Sequence, residues 1–72
     1  MSHHLLLEAG RIREATISRM QVGRAFLALG DSDRARAELE AALEAFLVLG
    51  DRLNMGECRN LLSKIPPSSR SA

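Results

Sequence analysis

A seven-residue phrase, Ala-Phe-Leu-Ala-Leu-Gly-Asp at positions 25–31, returns twenty residues later, at 45–51, as Ala-Phe-Leu-Val-Leu-Gly-Asp. The only change is Ala28 to Val48, and the two copies hold both phenylalanines of the chain. Each copy closes on Leu-Gly-Asp. Gly can take the left-handed conformation that stops one helix, and Asp can cap the start of the next. The phrase therefore predicts helix, tight turn, helix, tight turn, helix. Such an internal repeat constrains the fold more than any single residue does.

Glycine sets a wider rhythm. Gly10, Gly30 and Gly50 are also spaced by twenty, and each follows an apolar segment. Three stops predict four helical stretches. The first, about residues 3–9, is too short to be stable alone and reads as the remnant of a preceding helix. It defines an N-terminal segment, 1–10. The second stretch, about 11–29, places Ile12, Ala15, Thr16, Met20, Gly23, Phe26 and Leu27 on one face. Gly23 in mid-helix costs about 1 kcal/mol relative to Ala, so a neighbouring helix is expected to approach closely there. The third, about 32–49, repeats Ala35, Leu39, Ala42, Phe46 and Leu49 in steps of four and three, with Leu43 and Leu47 widening the stripe. The fourth, about 53–65, offers Met55, Cys58, Leu61, Leu62 and Ile65 for burial. Pro66-Pro67 ends it, leaving 66–72 as a small, polar tail expected to be disordered.

The helical domain thus covers 11–65 of a chain of 72 residues. A chain of that size buries only about 60% of its unfolded surface. With 46% hydrophobic residues but no Trp or Tyr, its core must come from Leu, Ala, Ile and Met. Ten basic and nine acidic residues leave a net charge of +1. That gives no field strong enough to point to nucleic acid or an anionic membrane. A single cysteine requires no oxidising compartment, and no segment approaches the roughly 20 apolar residues of a membrane span. The N-terminal apolar run is too short for a signal peptide, so a cytoplasmic location is expected.

Counted from Gly23, the pattern Gly23-x-x-Phe26, then Ala35-x-x-x-Leu39 and Ala42, resembles the tetratricopeptide (TPR) repeat. In that repeat a Gly and an aromatic on the first helix pack against small and large positions on the second. Arg19 stands where the family has Trp, and Leu47 where it has Pro. The second helix therefore continues to Leu49, and the unit is about 40 residues long instead of the usual 34. This longer Leu-Gly-Asp variant is similar to repeats in multidomain bacterial signalling ATPases and transcriptional regulators. The resemblance covers 11–50, with 51–65 as the first helix of a following unit. It implies an all-α fold of antiparallel hairpins stacked as a short solenoid, three main helices plus the N-terminal segment. A coiled coil would sustain its stripe without glycine stops. A helix-turn-helix reader would carry a basic second helix, and here that helix has Glu38, Glu40 and Glu44.

Few residues could carry chemistry. His3 and His4 are adjacent, so on a helix they point about 100° apart and cannot chelate together; a flexible start or tag remnant is the simpler reading. Cys58 falls at a predicted buried position and reads as a small hydrophobe, far from either histidine. Arg34 and Arg36 stand four residues before Glu38 and Glu40, which reads as a solvated, ion-paired face. No glycine-rich phosphate loop is present. Neither a catalytic set, nor a metal site, nor a cofactor is expected.

The resemblance implies a groove lined by the first helix of each hairpin. Its positions correspond to Ile17, Met20, Arg24 and Leu27, and in the next unit to Glu57, Asn60 and Lys64. Arg24, Asn60 and Lys64 could hold the carboxylate or backbone of an extended peptide, with Met20 as an adaptable apolar contact. A stack of hairpins buries its core only between neighbours. One hairpin with two partial flanks would expose Leu5, Leu6 and Leu7 at one end and Leu53, Leu61, Leu62 and Ile65 at the other. Either neighbouring repeats or self-association, for instance dimerisation by helix exchange, would cover them. The expected function is a non-catalytic protein-interaction module within a bacterial regulatory protein. The alternatives are a helical nucleic-acid-binding domain supported by Arg11, Arg13, Arg19 and Arg24, and an enzyme fragment using Cys58. The doubled phrase resolves into two halves of one hairpin.

Overall fold

A computed structural model describes residues 2–66, with only the backbone at 2–7 and 9. Three α-helices follow one another: α1 (Ser2–Leu29), α2 (Ser32–Leu49) and α3 (Arg52–Ser63). The described residues contain no strand. α2 packs against both neighbours, while α1 and α3 touch only lightly.

The doubled phrase builds the same turn twice. Gly30 and Gly50 take left-handed φ values of 82° and 72°. The Asp31 N–H donates to the Phe26 carbonyl at 2.9 Å, and the Asp51 N–H to the Phe46 carbonyl at 2.9 Å. The glycine N–H groups donate to Leu27 and Leu47 at 3.0 and 3.1 Å. Both are Schellman closures, which satisfy carbonyls a helix end would otherwise leave open. Each aspartate then caps the next helix, accepting from the Arg34 and the Asn54 backbone N–H at 3.2 Å. Asn54 also donates its side-chain Nδ2 to Asp51 at 2.7 Å.

Gly10 behaves differently, and here the expectation of four helical stretches is corrected. α1 runs unbroken through it as one helix of 28 residues, about 42 Å at 1.5 Å per residue. The physical reason is the next residue: Arg11 follows Gly10, where Asp follows Gly30 and Gly50. Without a capping carboxylate the Gly alone does not open a new helix. The described part of the expected segment, 2–10, therefore merges into α1. At the other end α3 stops at Ser63, two residues short of the expected Ile65, because a residue before proline is disfavoured in helix. Of the expected tail at 66–72, residues 67–72 lie outside the described residues, as do the side chains of Leu5, Leu6 and Leu7 and of His3 and His4.

The core centres on α2. Ala35, Leu39, Ala42 and Phe46 are completely buried, joined by Met20 from α1, by Cys58 and Leu61 from α3, and by Ile65 beyond it. Gly23 fulfils its expected role. A Cβ built there would lie 2.8 Å from Cγ and Cδ2 of Leu39, so only hydrogen fits between α1 and α2. Thr16 is buried, and its hydroxyl donates to the Ile12 carbonyl at 2.6 Å. That bond satisfies the group within its own helix.

Three apolar expectations are corrected. Leu47 does not widen the stripe and is 60% exposed. It stands about 100° around the helix from Phe46, and no described helix lies over that side. Ile12 and Ala15 are also exposed, since the buried arc of α1 is centred on Thr16, Met20 and Gly23. Leu61 and Ile65 are buried and Leu62 partly so, covered by the chain itself, whereas Leu53 is exposed as anticipated. The pairing of Arg34 and Arg36 differs too. Arg34 pairs with Asp31 at 3.5 Å and lies over the Phe26 ring. Arg36 donates to the Pro66 carbonyl at 3.1 Å. Glu38 is met by Arg19 of α1 at 3.5 Å.

Candidate binding cleft

Residues spaced by three and four share a helix face. Arg24, Leu27 and Ala28 therefore project together from the last turns of α1, and Leu61 and Lys64 from the end of α3. These five side chains line an open cleft of about 380 Å³. Leu27 and Ala28, with the buried Leu61, form an apolar floor, and Arg24 and Lys64 supply its charge. No acidic residue lines the cleft, and neither cation has an ion-pair partner among the described residues. Chemically, the arrangement can seat an apolar group and attract a carboxylate or phosphate beside it.

Of the expected groove positions, the structure brings together Arg24, Leu27 and Lys64. Met20 is corrected: at 4% exposure it belongs to the core between α1 and α2 and offers nothing to a visitor in this conformation. Ile17 packs half-buried against that core. Glu57 and Asn60 are exposed on α3 but do not reach the cleft. Ala28 and Leu61 were not foreseen as lining. Leu61 carried the signature of a core residue, and being three residues before Lys64 was the one sign that it could also floor a site.

Cys58 is fully enclosed. Burial, and secondarily the neighbouring Glu57 charge, push its thiol above the ordinary value, so the neutral form is favoured and no nucleophile is poised there. Among the described residues, no three His, Cys, Asp or Glu side chains converge where a metal ion could sit. Two of the four arginines on α1 are engaged by carboxylates: Arg13 with Asp51 at 3.0 Å and Arg19 with Glu38. No described helix is long and apolar enough to cross a membrane. No family model matches the chain, and neither a curated protein nor a solved structure matches it.

Proposed function

We propose that this protein is a non-catalytic interaction module, a TPR-like helical hairpin with the first helix of a following unit, that holds a partner protein segment in the cleft between α1 and α3. The observation that carries the reading is the pairing of two uncommitted cations, Arg24 and Lys64, with an apolar floor. The preferred occupant is a peptide presenting an Asp, a Glu or a free C-terminal carboxylate next to an aliphatic side chain. Self-association accompanies this role, and regulatory signalling in the cytoplasm is the setting that the family resemblance implies. Support for the nucleic-acid alternative is thin: Arg13 and Arg24 share a side of α1 that Arg11 and Arg19 do not, and two of the four already hold carboxylates.

Peptide display against the purified chain tests the proposal. Selected sequences should be enriched in acidic residues beside Leu, Ile or Val. Binding should weaken at least fivefold in the Arg24→Ala/Lys64→Ala variant, on the order of 1 kcal/mol for exposed charge pairs, and should weaken with added salt. Selected peptides that bind the double variant as tightly as the parent would overturn it.

A further inference from the structure

One exposed stripe of α1 lacks the charge that a solvent-facing helix surface normally carries. Ala15, Ser18, Val22, Ala25 and Leu29 follow one another in steps of three and four, and all five are exposed, Val22 at 45% and Leu29 at 77%. At about 100° per residue they fall within one arc of about 80°, distinct from the buried side of Thr16 and Gly23, and the exposed Glu14 borders it next to Ala25. From residue 12 to residue 29 no charged side chain stands on that arc. The solvent sides of the other helices differ: α2 exposes Asp33, Glu40 and Glu44, and α3 exposes Arg52, Glu57 and Arg59. α1 is thus apolar or small on two separate stripes, and the chain covers only one.

We propose that a second copy of this chain covers the other, with two α1 helices packing antiparallel about a two-fold axis near Val22. The inference rests on the self-association part of the function proposed above and is independent of the cleft. Size and charge select both the partner and the direction. A two-fold at Val22 sets Ala15 of one copy opposite Leu29 of the other, a small residue facing a large one at both ends. It also carries Arg11 beyond Leu29 to the partner's α1–α2 turn and the start of its α2, which bear Asp31 and Asp33. Arg11 is exposed and has no ion-pair partner among the described residues. A parallel pairing would oppose Arg11 to Arg11 and Leu29 to Leu29. Spacing in steps of three and four suits the shallow crossing of paired helices. A contact of about four turns falls below the roughly 1,200 Å² of standard interfaces, so the dimer is weak and concentration-dependent.

Sedimentation equilibrium from about 10 μM to about 1 mM brackets such an affinity. The expected result is a monomer–dimer equilibrium that Val22→Glu weakens by more than about 100-fold, through like charges meeting on the axis. Far-UV circular dichroism and the melting temperature at the low end of the range should not change. Arg24→Ala/Lys64→Ala, which alters only the cleft, should dimerise like the parent, so failure of one proposal is distinguishable from failure of the other. Direction is read by oxidation of variants with one added cysteine each, since the enclosed Cys58 does not compete. Ala15→Cys should cross-link with Leu29→Cys in a mixture and not with itself. A monomer throughout the range, a dimer indifferent to Val22→Glu, or self-cross-linking of Ala15→Cys would each overturn the proposal.

Discussion

Gly23 and Gly56 both sit inside helices, and replacing each with alanine should move stability in opposite directions. In an open helix interior the exchange gains about 1 kcal/mol, because Ala restricts the unfolded chain. Gly56 has nothing within 4 Å of a built Cβ, so Gly56→Ala should realise that gain. At Gly23 the new methyl would meet Cγ and Cδ2 of Leu39 at 2.8 Å. Cγ is no flexible tip, and Leu39 is completely buried beside Ala35, Ala42 and Phe46, so its side chain has no free space to turn into. Overpacking of this kind costs about 1–3 kcal/mol. Set against the propensity gain, the net result is a loss of about 1 kcal/mol, or some 4–8 °C for a domain of this length. Thermal melting by circular dichroism at low protein concentration measures both variants. In a Leu39→Ala background the clash is gone, so Gly23→Ala should become neutral or stabilising there. The reasoning fails if Gly23→Ala raises the melting temperature of the parent as Gly56→Ala does.

Three further outcomes follow from the turns and the core. Gly30→Ala and Gly50→Ala should each cost about 1–2 kcal/mol, because both positions are left-handed and the strain comes from φ alone; equal melting temperatures in parent and variants would contradict this. Hydrogen bonds from the Asn54 side chain and backbone, with Arg13 nearby, hold the Asp51 carboxyl below the ordinary carboxylate range. Its folded value lies below its unfolded one, so its contribution is present above about pH 4 and disappears as pH falls through the folded value. Acid titration of stability should therefore be shallower in Asp51→Asn than in the parent. Cys58 is shifted the other way. Its contribution should hold at neutral pH and be lost as pH climbs past the ordinary thiol value, and a thiol reagent should label it slowly in the native chain and rapidly in denaturant.

Helix boundaries were legible where two adjacent residues agreed. Leu-Gly-Asp carries both a stop and a start, and both of its occurrences became turns. Ala-Gly-Arg at residues 9–11 carries only the stop, and α1 passes through it. The buried stripe of α2 was legible because its periodicity is strong and its opposite face is charged. α1 was harder to read, since small and apolar residues surround it: Thr16, Met20 and Gly23 turned inward, and Ala15 and Ile12 outward. The cleft was half legible. Arg24, Leu27 and Lys64 were among the positions the tetratricopeptide resemblance implied, but Ala28 and Leu61 became lining only where the end of α3 comes beside the end of α1, and the periodicity of each helix marks its own buried face without saying which ends of two helices meet.

The doubled phrase separates what local sequence decides from what tertiary neighbours decide. Both copies make the same backbone turn, with the same left-handed Gly and the same two hydrogen bonds. Yet Phe46 is completely buried, while Phe26 is half-buried beneath the Arg34 guanidinium. Leu27 is partly covered and lines the cleft with Leu61 of α3, whereas Leu47, its counterpart, is 60% exposed. Val48 is 85% exposed, and its counterpart Ala28 lines the cleft. The phenylalanines and leucines of the two copies, identical residues in the same local geometry, thus differ in burial only through what packs beside them. α3 comes beside the end of α1 where Leu27 and Ala28 lie, whereas no described helix covers the side of α2 that carries Leu47 and Val48. Whatever binds this chain meets a different surface at each copy, a cationic cleft at the first and bare aliphatic side chains at the second.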